Sequence, residues 1–168
     1  MPFSGQKDIS MRLFWELDIS GTFRPLGEKV LKPRLFGVAV RAVAAAAKKV
    51  AEEFKKMVKE KLGVVPPHIE AMCDNAATVV APFVRMYGAA MGPGALDPKT
   101  KELIGLALAC ALGCKHCMTW HTIMALEHGA TKEEIFEVLG VVAVMTGGPG
   151  IVTWSETVIE VLKQKGLL

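Results

Sequence analysis

A chain of 168 residues, 51% hydrophobic and 22% charged, is long enough for one domain with its own core, and this composition excludes a disordered class. The formal net charge of +3 is small and dispersed. Its densest basic run, Lys48-Lys49 through Lys61, is interrupted by Glu52, Glu53 and Glu60, the pattern of a solvated helix face, so no nucleic-acid partner is expected. No apolar core of signal-peptide length follows Met1, and the longest uncharged run, Val138 to Ser155, is cut by Gly147-Gly148-Pro149-Gly150. That run reads as two buried helices meeting at a turn, not as a membrane span. A reducing cytoplasm is the expected compartment. Four cysteines there do not make a structural disulfide framework, and a Cys-x-x-Cys pair is redox-active or metal-binding.

In chain order, residues 1–35 are punctuated by Gly21, Pro25, Gly27 and Pro33 and read as an N-terminal arm packed on the body or on a neighbouring subunit. Within it, Ser10–Ile19 suits a helix or a strand. Residues 36–168 read as a helical domain. Its first helix runs from Phe36 to Leu62, with Val43, Val50, Phe54, Met57 and Val58 opposite the lysines, and Gly63 and Pro66-Pro67 end it. A second helix fits His68 to Met91, interrupted near Pro82. Asp97-Pro98 is an N-cap acid followed by proline at the first helical position, and that helix reaches Leu112, where Gly113 stops it. The next begins at Cys114 and stops at His128-Gly129. Thr131 with Glu134 forms a capping box for a helix to Met145, and a last helix covers Ile151 to Lys165. No strand alternation of useful length and no internal repeat is visible. The fold class is all-α.

The chemistry concentrates in Cys114-Lys115-His116-Cys117 with His121 beyond it and Glu102 before it. At about 100° per residue, Cys114, Cys117 and His121 share an arc of roughly 60° on one helix face. If Gly113 joins two helices as a hairpin, Glu102 and His121 differ by three residues in distance from the turn, about 4.5 Å along the axis. A buried glutamate needs a partner, and His121 is the best one available. A free thiol has a pKa of about 8.5, which a helix N-terminus and a neighbouring imidazole both lower. Cys117 and His121 at i, i+4 form such a pair, with Glu102 orienting the imidazole. Cys114 is near enough to close a disulfide on an oxidised Cys117.

Other readings compete at the same residues. Cys114, Cys117 and His121 could ligate zinc, but a structural site needs a fourth donor, and His128 is about 10.5 Å beyond His121 along the helix. His128 reads as a helix C-terminal residue. His116 points about 140° away from His121 and either tunes the thiols, meets a neighbouring subunit or is simply exposed. His68 has no evident role. Cys73 and Cys110 read as small buried residues, and Met118, Trp120 and Met124 as core or subunit contacts. The Gly147–Gly150 turn lacks the strand and the Lys-Ser/Thr of a phosphate loop.

Leu96-Asp97-Pro98-Lys99-Thr100-Lys101-Glu102-Leu103-Ile104, the Cys114–Cys117 motif with His121, and Glu127-His128-Gly129-Ala130-Thr131-Lys132-Glu133-Glu134-Ile135 together resemble the carboxymuconolactone decarboxylase superfamily, in its AhpD-like alkylhydroperoxidase branch. The resemblance spans about residues 70–165. It implies helical subunits intertwined as a homotrimer or homohexamer, and thiol-dependent reduction of a hydroperoxide or disulfide without a cofactor. It further implies that Cys117 is the reactive thiol and Cys114 its proton donor and disulfide partner, with Glu102, His116 and His121 as the proton relay. A lipoyl-bearing or other thiol protein would then supply electrons. The decarboxylase branch of the superfamily, which acts on a lactone acid and needs no cysteine pair, is the rival within it.

Overall fold

Seven helices, all but one of their boundaries marked by glycine or proline, lie among the residues that the structure, a computed structural model, describes: 15–17, 23–25 and 33–168. Ahead of the helices, β1 (Trp15–Leu17) and β2 (Phe23–Pro25) pair antiparallel, with Trp15 opposite Pro25 and Leu17 opposite Phe23. The centre of the ambiguous Ser10–Ile19 segment is therefore strand. The rest of the expected 1–35 arm lies outside the described residues, up to Pro33, where α1 begins (Pro33–Leu62).

The expected single helix over 68–91 is two, α2 (Pro67–Asn75) and α3 (Ala77–Met91). The break falls at Ala76, which leaves helical geometry at φ −134°, ψ 37°, while Pro82 stays inside α3. Asn75 accounts for the position. Its side-chain amide donates to the Ala71 carbonyl (2.9 Å), a local bond of the kind with which asparagine competes against helix continuation. Ala76 N–H closes α2 on Met72 O, and Ala76 O then accepts from Val79 and Val80 to start α3.

The remaining helices are α4 (Pro98–Ala111), α5 (Lys115–Glu127), α6 (Lys132–Thr146) and α7 (Gly148–Gln164). Asp97 caps α4 by accepting Thr100 N–H (3.0 Å), and Thr131 and Glu134 form the expected capping box on α6. Gly147 turns the chain at φ 72°, a conformation open to glycine. With Pro149 in its first turn, α7 starts at Gly148, three residues earlier than expected.

Two clusters of buried side chains result. Ala47 and Ala51 of α1, Cys73 of α2, and Ala77, Val80 and Ala81 of α3 form one, with Val50 and Phe54 packed against it. Leu106, Ala109 and Cys110 of α4, Met118 of α5, Ile135, Leu139 and Val142 of α6, and Trp154, Val158 and Leu162 of α7 form the other. Val43, expected on the apolar face opposite the lysines, is 64% exposed. Lys55 on the charged face of α1 lies 2.7 Å from both Glu52 and Asp74.

The apolar run Val138–Ser155 is two helices as expected, but it is not buried throughout. Val141, Val144, Met145 and Val152 are exposed, as are Ile104 and Leu108 on α4 and Leu112 at its C-cap, spaced i, i+4, i+8. Only the inward stripe of each helix meets the second core. Among the described residues no helix is long and apolar enough to cross a membrane.

Candidate active site

Gly113 builds the turn that carries the cysteines. At φ 69° it lets Cys114 N–H reach Ala109 O (3.0 Å) while its own N–H reaches Cys110 O (3.1 Å), a Schellman closure of α4. Cys114 is then the N-cap residue of α5, and α5 packs along α4. Cys117 N–H, one of the donors left unpaired at the helix start, donates to Cys114 Sγ at 3.3 Å. Cys114 and Cys117 are joined as a disulfide, their Cα atoms 5.2 Å apart.

One turn further along α5, His121 meets Glu102 of α4, with Nδ1 2.7 Å from Glu102 Oε2. The approach expected from distances to Gly113 is present. Glu102 is 1% exposed, so its carboxylate depends on protein partners. It has a second one. Tyr87 of α3 donates its hydroxyl to Glu102 Oε1 (2.8 Å) and accepts from Trp120 Nε1 of α5 (2.8 Å). An indole N–H only donates, which leaves the Tyr87 hydrogen free for the carboxylate. Burial, opposed by the hydrogen bond from Trp120 and reinforced by the Glu102 contact, pushes the Tyr87 hydroxyl well above the usual tyrosine range, so it remains a donor at all ordinary pH.

Sequence reasoning missed Tyr87 and Gly105 and placed Trp120 among core or subunit contacts. Tyr87 is the sole tyrosine of the chain, but it lies on another helix 15 residues before Glu102, and no spacing rule connects them. Gly105 did leave a signal: a glycine inside an apolar helix costs about 1 kcal/mol relative to alanine and calls for a reason. A Cβ there would stand 2.7 Å from both Cε1 and Nδ1 of His121, so the missing side chain makes room for the ring.

His116 does not meet this network through any described hydrogen bond. It lies on the exposed first turn of α5 with its ring 4.6 Å from that of His68, at the start of α2. His128 is the C-cap residue of α5. Cys73 and Cys110 are buried as expected, and burial raises both thiols, Cys110 to about 11, which keeps them protonated and unreactive. Among the described residues, no three His, Cys, Asp or Glu side chains converge as metal ligands.

A profile of the Carboxymuconolactone decarboxylase family matches residues 77–158, the span that holds Tyr87, Glu102, the cysteine pair and His121. A crystal structure of a carboxymuconolactone decarboxylase family protein from Legionella pneumophila is 31% identical, with a TM-score of 0.53, over 68% of this chain and 95% of that one. The chain belongs to the carboxymuconolactone decarboxylase family. The chain is also similar to the alkyl hydroperoxide reductase AhpD of Mycobacteroides abscessus, at 27% identity over 72% of this chain and 78% of the relative. It is also similar to a crystal structure from Thermotoga maritima (29% identity, TM-score 0.55, covering 67% and 96% of the two chains). The all-α fold follows from this membership and from the helices themselves.

Proposed function

We propose that this family member is a thiol-dependent peroxidase and disulfide oxidoreductase of the AhpD type, cycling through the Cys114–Cys117 disulfide. The observation that carries the reading is the cysteine pair at the start of α5, one turn before a histidine that is held by a buried glutamate. Glu102 at Nδ1 leaves Nε2 of His121 available to take a proton, the division of labour that activates a nucleophile. Similarity to a named alkyl hydroperoxide reductase supports the same choice of substrate class.

In the cycle, His121 takes the Cys117 proton and the thiolate attacks the distal oxygen of a hydroperoxide. The O–O bond breaks, Cys117 becomes a sulfenic acid, and the departing alkoxide leaves as an alcohol with the proton from His121. Cys114 then attacks the Cys117 sulfur, and the hydroxyl departs with the Cys114 proton as water. A dithiol reductant, lipoyl-bearing or otherwise, reopens the bridge by exchange and is itself oxidised. The α5 N-terminus aimed at Cys114 makes that sulfur the better leaving thiolate in this last step. In this reading His116 belongs to the rim of the relay, with its ring 4.6 Å from that of His68.

Assembly as a homotrimer or homohexamer is part of the reading, since exposed Ile104, Leu108, Leu112, Val141, Val144 and Met145 would gain from a second copy. A cytoplasmic location would supply the reducing thiols. The test is a peroxide-reduction and disulfide-reduction assay on the wild type, Cys114→Ser and Cys117→Ser. Loss of turnover in both variants is expected, with sulfenic acid trapped on Cys117 in Cys114→Ser. Full peroxidase turnover by Cys117→Ser would overturn the reading. A lactone decarboxylase of this fold would survive loss of both cysteines, and a zinc module would carry stoichiometric zinc after reduction.

A further inference from the structure

The proton relay of the proposed function ends at Glu102, but Glu102 is gripped from a second side by residues that neither the motif nor its spacing includes. Tyr87 comes from α3, which belongs to the first core, and its hydroxyl is oriented by Trp120, the residue adjacent to His121. We propose that Tyr87, aimed by Trp120, is a positioning residue that decides which end of the Glu102–His121 pair holds the shared proton, and so keeps Nε2 of His121 free to act as the base.

The chemistry follows from counting donors. Glu102 is 1% exposed, and its two oxygens receive Tyr87 Oη at 2.8 Å and His121 Nδ1 at 2.7 Å. With both donors present the carboxylate is served at each oxygen, and the shared proton rests on Nδ1. Nε2 of the neutral ring is then an acceptor. Without the tyrosine hydroxyl, one oxygen of a buried carboxylate has lost its donor. The cheapest repair is for Glu102 to take the Nδ1 proton while Nε2 takes one from solvent, so that the pair as a whole gains one proton and both groups are neutral. A neutral imidazole in that state carries its hydrogen on Nε2, which can no longer accept one. Trp120 acts one step earlier, since its N–H occupies a lone pair of Tyr87 and leaves the hydroxyl hydrogen to the carboxylate. The Tyr87 and Trp120 rings meet edge to face with centroids 6.3 Å apart, a geometry that restrains the hydroxyl further.

This proposal rests on the relay in the proposed function, and its test is chosen to separate the two. Protein labelled with ¹⁵N at histidine, in the disulfide state, is titrated until the His121 ring is neutral, and the two ring-nitrogen shifts give the tautomer. Wild type is expected with hydrogen on Nδ1, and Tyr87→Phe with a tautomer ratio moved toward Nε2–H by about 10-fold, the effect of one hydrogen bond to a charged group. Trp120→Phe should move it in the same direction by less. In reduced protein, the pH profile for alkylation of Cys117 should shift in Tyr87→Phe and stay in place in a control, Phe83→Leu, on the exposed face of α3. An unchanged tautomer together with an unchanged alkylation profile in folded Tyr87→Phe would overturn the proposal, even if that variant melted earlier. A failed peroxidase assay leaves the tautomer measurement intact, because that measurement needs no turnover.

Discussion

The cluster of α1–α3 is built from Ala47, Ala51, Cys73, Ala77, Val80 and Ala81, and that of α4–α7 from Leu106, Met118, Ile135, Leu139, Trp154, Val158 and Leu162. Alanine faces let helices approach closely but remove little apolar area from water per residue. Leucine and isoleucine faces remove far more, at roughly 25 cal/mol per Å². The cysteine pair, His121 and Glu102 all stand on the helices of the larger-residue cluster. Tyr87 is the one member of the network that comes from the other side. A site that needs sub-ångström positioning thus rests on the better-anchored half and borrows one hydroxyl from the lighter half.

The largest test of this contrast is Leu139→Ala in the second core, where the side chain is 1% exposed. It should lose about 3 kcal/mol of unfolding free energy in a denaturant titration. Val80→Ala in the first core should lose about 1.5 kcal/mol, the worth of two buried carbons. Equal losses would mean that the clusters are equally anchored.

Next in size is Gly105→Ala, which separates site geometry from stability. Alanine gains about 1 kcal/mol of helix propensity, which offsets part of an overpacking cost of about 1–3 kcal/mol. The His121 ring must move, however, because the new Cβ would lie 2.7 Å from it. Turnover should therefore fall about 100-fold, the usual contribution of a positioned base, while the melting temperature moves only a few degrees. Unchanged turnover would show that the ring has room to spare.

The smallest effect concerns the α4 cap. Hydrogen bonds from the Thr100 backbone and hydroxyl hold Asp97 below the usual carboxylate range. A carboxylate whose folded pKa is lowered contributes stability that is complete above its unfolded pKa and is lost as pH falls through the folded one. Asp97→Asn should therefore flatten the acid limb of melting temperature against pH and leave the neutral limb nearly unchanged, since asparagine also caps. An acid limb as steep as that of wild type would remove Asp97 from the account.

Much of this molecule was legible in the chain because its helix ends are written in local chemistry. Asp97-Pro98, Gly113, Gly129 and the Thr131–Glu134 box act within a few residues of themselves, and all four stand where expected. The Ala76 break was not, because Pro82 is the louder signal while the asparagine bond that ends α2 is weak until the helix exists.

The sequence by itself determined the all-α class, the cysteine pair at the start of α5, and the approach of Glu102 to His121, since all three depend on short-range periodicity around one glycine turn. Only the tertiary structure decided that Tyr87 would cap Glu102, that Gly105 would hollow out a seat for the imidazole, and that His116 would face His68. Those contacts join residues on separate helices, and their distances are set by how the helices pack, a long-range outcome that no spacing along the chain encodes.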